Sequence, residues 1–155
     1  MRRWVLLAYR LPREPSRPRI ALWRSLRRLG AAQVGDGFVT LPLTSETHEQ
    51  IEWLASDIED ARGEASVWLG EAATKAEEER WIERFRSAST DEYDTLADRA
   101  ARGVTENGPA RRRSLRQLRA ELRRVRARDY FGVPARANAI EAIERLAPAG
   151  EEITR

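Results

Sequence analysis

The sequence predicts an α+β fold in which a ferredoxin-like βαββαβ sandwich is followed by a C-terminal extension of about three helices. Three observations carry this reading. β-forming apolar runs open and close the first stretch of chain, two amphipathic helical patterns alternate with them, and past residue 73 the apolar spacing is helical throughout. The expected division is 1–72 for the sheet part and 73–155 for a helical extension packed on it, one compact unit overall.

Trp4–Leu11 is rich in β-formers and apolar on both parities, with Val5, Leu7, Tyr9 and Leu11 on one face and Trp4, Leu6 and Ala8 on the other. That pattern predicts a central strand covered on two sides. A proline-punctuated loop follows, then a helix from about Pro18 to Leu29. Ile20, Trp23, Leu26 and Leu29 are its expected core stripe and Gly30 its stop. Short strands at about 32–34 and 38–43 flank Gly35-Asp36-Gly37, a hairpin signal. Thr44 or Ser45 is expected to cap a second helix, with His48 or Glu49 near its third position and Ile51, Leu54, Ile58 and Ala61 inward. Gly63 ends it, and a fourth strand runs through Ala65–Leu69. This order is the split βαβ arrangement. It leaves a second sheet face, where Trp4, Leu6 and Trp68 point, to be covered by the C-terminal helices or by a second copy of the chain.

From Thr74 to about Arg102 runs a helical pattern with a weak spot at Ser87–Asp91, read as a kink or break. Asn107-Gly108 marks a turn. A basic helix is expected over Ala110–Tyr130 and a last one up to Leu146, with Ala139, Ile140, Ile143 and Leu146 inward. The tail from Pro148 is expected to fray. Leu115, Leu118, Leu122 and Val125 sit at a/d spacing, which favours packing on another helix or a partner.

Composition narrows the chemistry. The 155 residues include no cysteine, so disulfides and thiolate metal sites are excluded. No apolar run approaches the ~20 residues that span a bilayer, and the stretch after Arg2-Arg3 is too short for a signal peptide, so a cytoplasmic protein without membrane contact is expected. His48 is the only histidine, which disfavours a metal site or a histidine-based triad. Phosphate-loop, dinucleotide and nucleophile-elbow motifs are missing, and Glu77-Glu78-Glu79 spreads over different helix faces, as suits solvent. Catalysis is therefore the least favoured class, and no cofactor is implied. The tryptophans are mostly at core-compatible spacing, with Trp4 and Trp68 as candidate interface anchors.

Net charge is only +3, yet of 28 basic residues Lys75 alone is lysine. Arginine forks grip phosphates and oxyanions bidentately. Between Arg111 and Arg128 nine arginines face one acid, Glu121, and Arg112, Arg116, Arg119 and Arg123 follow one side, widened by Arg113 and Arg124. This stripe fits phosphate binding. The competing reading is a solvated face partly paired with the preceding acidic helix. A second basic group, Arg13, Arg17, Arg19, Arg24 and Arg28, lies around the first helix, with anion contact and plain solubility as its two readings. Some ferredoxin-like nucleases place a metal-binding Asp at the end of the first strand. Tyr9 and Arg10 stand there, against metal-dependent phosphodiester cleavage.

The opening Trp4-Val5-Leu6-Leu7, Tyr9-Arg10-Leu11-Pro12, and the segment from Pro15 to Ala31 with Leu22-Trp23-Arg24 and Leu26-Arg27-Arg28-Leu29-Gly30, resemble the N-terminal domain of the chromate-resistance protein ChrB. Gln50–Leu54 and Arg119–Gly132, ending Arg126-Ala127-Arg128-Asp129-Tyr130-Phe131-Gly132, extend the likeness over nearly the whole chain. The sheet part is also similar to that of PaaX-type repressors. The resemblance implies a cytoplasmic, non-catalytic regulator of transcription in chromate resistance. DNA would be its partner, and chromate or another oxyanion a possible effector. Longer members continue into a C-terminal domain, so a stand-alone protein, a homodimer or the partner of a separately encoded half is implied here. The alternatives are an oxyanion-sensing module and a protein-interaction module, neither touching DNA.

Overall fold

The computed structural model describes residues 1–148. Its elements are β1 (Arg3–Arg10), α1 (Arg17–Leu29), β2 (Ala32–Gly35), β3 (Phe38–Pro42), α2 (Ser45–Asp60), β4 (Glu64–Glu71), α3 (Lys75–Gly103), α4 (Gly108–Ala127) and α5 (Ala135–Glu144). The expected fraying past Pro148 lies outside the described residues. The chain forms two compact units, Met1–Arg84 and Phe85–Arg155. The division therefore falls inside α3, where the sequence reading set it at residue 72, ahead of that helix.

In the first unit the strands order β2-β3-β1-β4, every pair antiparallel, with β1 central as its two apolar faces require. The register sets Val5 against Leu41 and Leu7 against Val39 on one face. All four are buried, together with Leu22 and Leu26 of α1 and Ile51, Leu54 and Ile58 of α2. Each such side chain removed from water stabilises the unit by about 1.5–3 kcal/mol. At the hairpin, Gly37 has φ +66°, and a Cβ there would lie 2.3 Å from the Tyr9 carbonyl oxygen. Only glycine lets the turn close on β1, where the Tyr9 N–H donates to the Gly37 carbonyl at 2.7 Å.

The stripe expected along α1 holds at Leu26 and fails at Ile20 and Trp23. Leu22 and Leu26 are its buried residues, while Ile20 and Trp23 are 47% and 56% exposed. A step of three residues falls roughly 60° short of a full turn, so the series from Ile20 to Leu29 winds to opposite sides of the helix. Pro18 occupies the first turn as expected, and Gly30 closes the helix in the left-handed conformation.

At the start of α2, Thr44 is the cap, but the reciprocal partner is Thr47, not His48 or Glu49. The Thr47 N–H donates to Thr44 Oγ1 at 3.0 Å and the Thr44 N–H to Thr47 Oγ1 at 2.9 Å. The Thr47 hydroxyl also donates to the Pro42 carbonyl at 2.7 Å, tying α2 to β3. His48 is a surface residue, with Nε2 3.3 Å from Glu52 Oε1.

α3 is one unbroken helix of 29 residues. Ser87–Asp91 contains weak helix formers but no glycine or proline, and a few tenths of a kcal/mol per residue does not interrupt a helix packed on both sides of the spot. Here Ser89 is buried. Glu78 is also buried and accepts from the Arg2 N–H, so the acidic run is not wholly solvated as expected.

The second unit packs Tyr93, Leu96 and Ala100 of α3 against Leu115, Leu118, Leu122 and Val125 of α4, with Ala135, Ala139, Ile143 and the following Leu146 from the α5 segment. Asp129 organises the turn after α4. Its Oδ1 accepts from the Gly132 N–H at 3.0 Å and its Oδ2 from the Tyr93 hydroxyl at 3.1 Å. Phe85 meets Tyr130 and Phe131 edge-on, with ring centroids 6.0 and 5.8 Å apart. Among the described residues no helix is long and apolar enough to cross a membrane.

Candidate functional site

α4 sorts its arginines by side. The leucines and Val125 take one side into the core, so residues three and four apart on the opposite side face water. At the flanks, arginines reach carboxylates on neighbouring helices. Arg119 grips Glu144 through Nε at 3.1 Å and Nη2 at 2.7 Å. Arg128 pairs with Glu92, and Glu121 of α4 receives the fork of Arg99 from α3, one arm at 3.0 Å. Arg111 turns to the other end of the bundle, donating to the carbonyls of Arg145 at 2.7 Å and Leu146 at 3.0 Å. The Glu92 and Glu121 hydrogen bonds raise the pKa of Arg128 and Arg99, against the opposing effect of burial. These forks tie α4 to α3 and α5.

The outward side is different. Arg112, Arg113, Arg116, Arg123 and Arg124 are exposed, and among the described residues none of their side chains makes a hydrogen bond or ion pair. At 1.5 Å per residue they extend over about 18 Å of helix, enough to follow several phosphates of one strand. Arg119, expected in this stripe, is corrected to a structural role by its Glu144 fork. Arg124 lies at the rim of a groove of about 460 Å³ between α3 and α4, where Asp91, Glu92 and Glu121 stand among Arg99 and Arg128. That groove has mixed charge and does not attract an anion.

In the first unit Arg13, Arg17, Arg19, Arg24 and Arg28 are all exposed. Arg28 has only a 3.4 Å contact to the Ser25 hydroxyl, and none of the five forms an ion pair among the described residues. Arg19 and Arg24 line a cleft of about 940 Å³ between α1, the end of β1 and the β2–β3 turn. Reading the sequence missed this cleft. Its lining includes Tyr9, Arg10, Ile20, Trp23 and Asp36. Ile20 and Trp23 were assigned to the core, and only their imperfect fit to a 3.6-residue period could have placed them outside it. Trp23 also carries the Arg27 guanidinium over its ring, 4.9 Å from the centroid.

The expected interface anchors separate. Trp4 is 4% exposed, so it cannot reach a partner. It lines a groove of about 250 Å³ with Leu6, which is half-buried, and with Glu77 and Trp81 from the first turns of α3. That part of the second sheet face is thus covered by the chain's own helix. Trp68 stays 64% exposed. Leu115, Leu118, Leu122 and Val125 are spent on the core of their own unit, which removes them as a seam for another chain. Three of the five tryptophans, Trp23, Trp53 and Trp68, are exposed, against the expectation that most are core.

Residues 19–106 match the family model described as "Protein ChrB, N-terminal". The Protein ChrB of Cupriavidus metallidurans (strain ATCC 43123 / DSM 2839 / NBRC 102507 / CH34) is 30% identical over 135 residues, which is 85% of this chain and 38% of that protein. The chain thus spans well under half the length of that relative. No solved structure matches it. The family match takes in α1 through α3 and more than half of the sequence, and with it the chain belongs to the family of ChrB N-terminal domains.

Proposed function

We propose that the chain is a non-catalytic, cytoplasmic transcriptional regulator of the chromate-resistance type, which binds DNA through arginine-rich surfaces. Membership of the ChrB N-terminal family supports the regulatory part of this reading. The observation that carries the DNA part is the outward side of α4, where five guanidinium groups stand together without a carboxylate partner among the described residues. The exposed arginines around α1 add a second cationic surface.

Such contacts fix a protein on the phosphate backbone without reading base edges. The affinity then follows from counterion release. Five neutralised phosphates give a slope of log K against log salt of about −4.5. Fluorescence anisotropy with a labelled duplex, repeated between low and moderate salt, measures that slope. Arg116→Ala and Arg123→Ala should each shallow it by about 0.9. Arg119→Ala should leave it nearly unchanged, because that side chain is engaged by Glu144. No detectable complex at low salt, or a slope near zero, would end the proposal.

A further inference from the structure

The cleft between α1 and the β2–β3 turn combines three features that the arginine count alone does not explain. First, its volume of about 940 Å³ lies within the range of small-molecule sites. Second, one wall is apolar and aromatic. Trp23 and Ile20, which both line it, are about half exposed, whereas Leu22 and Leu26 of the same helix are buried. Third, Arg10, Arg19 and Arg24 line the cleft opposed by a single carboxylate, Asp36. None of the three arginines has an ion-pair partner among the described residues.

The polar groups are arranged for a ligand with hydrogen-bonding edges. The Gln33 Nε2 amide donates to the Gly35 carbonyl at 2.5 Å, which fixes the side chain and leaves its oxygen as an acceptor. Burial raises the pKa of the Tyr9 phenol, against the Arg19 charge, so the hydroxyl remains a donor at neutral pH. Arg27, which does not line the cleft, stacks its guanidinium on one face of the Trp23 indole.

We propose that this cleft binds a nucleotide unit: a planar aromatic base lying against Trp23 and Ile20, with its phosphate held by Arg10, Arg19 and Arg24. A bare oxyanion would use the guanidinium groups and leave the apolar wall wet. An apolar ligand would leave three cations unneutralised. A paired base in a duplex is stacked away from any such wall, so the unit comes from a free mononucleotide or from an unpaired base in a single strand. The cleft is lined by residues of the first unit, α4 belongs to the second, and the cleft does not depend on the duplex-binding proposal.

The test uses the full chain and two-dimensional NMR, in which each tryptophan indole N–H gives its own signal. The probes are the four ribonucleoside monophosphates, adenosine, inorganic phosphate and an eight-residue oligothymidylate. At least one monophosphate, or the oligomer, should shift the Trp23 indole and the Asp36–Gly37 amides. It should bind at least about tenfold tighter than adenosine or phosphate alone. Trp23→Ala and Arg24→Ala should each weaken it by about tenfold, and Arg116→Ala should not. Both altered side chains are exposed, so the variants keep their fold, which circular dichroism checks. Tighter binding by the oligomer assigns the site to single strands, and tighter binding by a monophosphate to free nucleotides. Phosphate binding as tightly as every nucleotide, shifts confined to α4, or no binding by any probe would overturn the proposal.

Discussion

Asp129 shows how much one side chain can settle. It holds the turn after α4 through the Gly132 N–H and fixes the buried Tyr93 hydroxyl. Asp129→Ala leaves the buried phenol without its acceptor, and should cost about 1–3 kcal/mol in urea unfolding. A loss below about 0.5 kcal/mol would mean that the turn holds itself. The same contact sets a pH dependence. Burial and the Asp129 carboxylate push the Tyr93 pKa up to about 12 from 10.0. The unfolded phenol therefore ionises first. Stability from this group is fully present below pH 10 and is lost as pH rises toward about 12. Stability measured by urea unfolding should fall with pH over that window more steeply in the wild type than in Tyr93→Phe. Equal pH dependence in the two proteins would refute the assignment.

At the scale of the element, α1 makes the sharpest distinction between two readings of one pattern. Leu22→Ala should cost about 2–5 kcal/mol by opening a cavity, while Ile20→Gln, at an exposed position, should stay within about 0.5 kcal/mol. Reversed magnitudes would restore the stripe first read from the sequence. What the sequence made readable was strong periodicity: β1 with both parities apolar, the glycine-flanked hairpin, and Ile51, Leu54 and Ile58 of α2. Spacing by three misled, because it drifts around the helix. Ser87–Asp91 misled because composition suggested a break that packing does not permit. Partial pairing of the basic helix with α3 was readable, but not which arginines it would engage. The carboxylates that engage Arg99, Arg119 and Arg128 lie 22, 25 and 36 residues away in sequence. Only the folded bundle tells a display arginine such as Arg116 from a structural one such as Arg119.

For the molecule as a whole, the net charge of +3 is too small to hold a polyanion without local concentration of cations. The proposal requires that placement, not total charge, governs binding. Arg116→Glu with Arg123→Glu changes the charge by the same amount as Arg80→Glu with Arg102→Glu, and all four side chains are exposed. The first pair should weaken duplex binding by at least tenfold more than the second in a gel-shift titration at fixed salt. Equal weakening would show that the duplex responds to bulk charge alone.

The start of α2 has a quieter implication. Its two reciprocal cap bonds run between threonine hydroxyls and main-chain amides, so no ionisable group takes part. A glutamate in the Thr47 position would surrender its acceptor to a proton in acid. With hydroxyls alone, these two cap bonds, and the anchor to the Pro42 carbonyl, are indifferent to acidification.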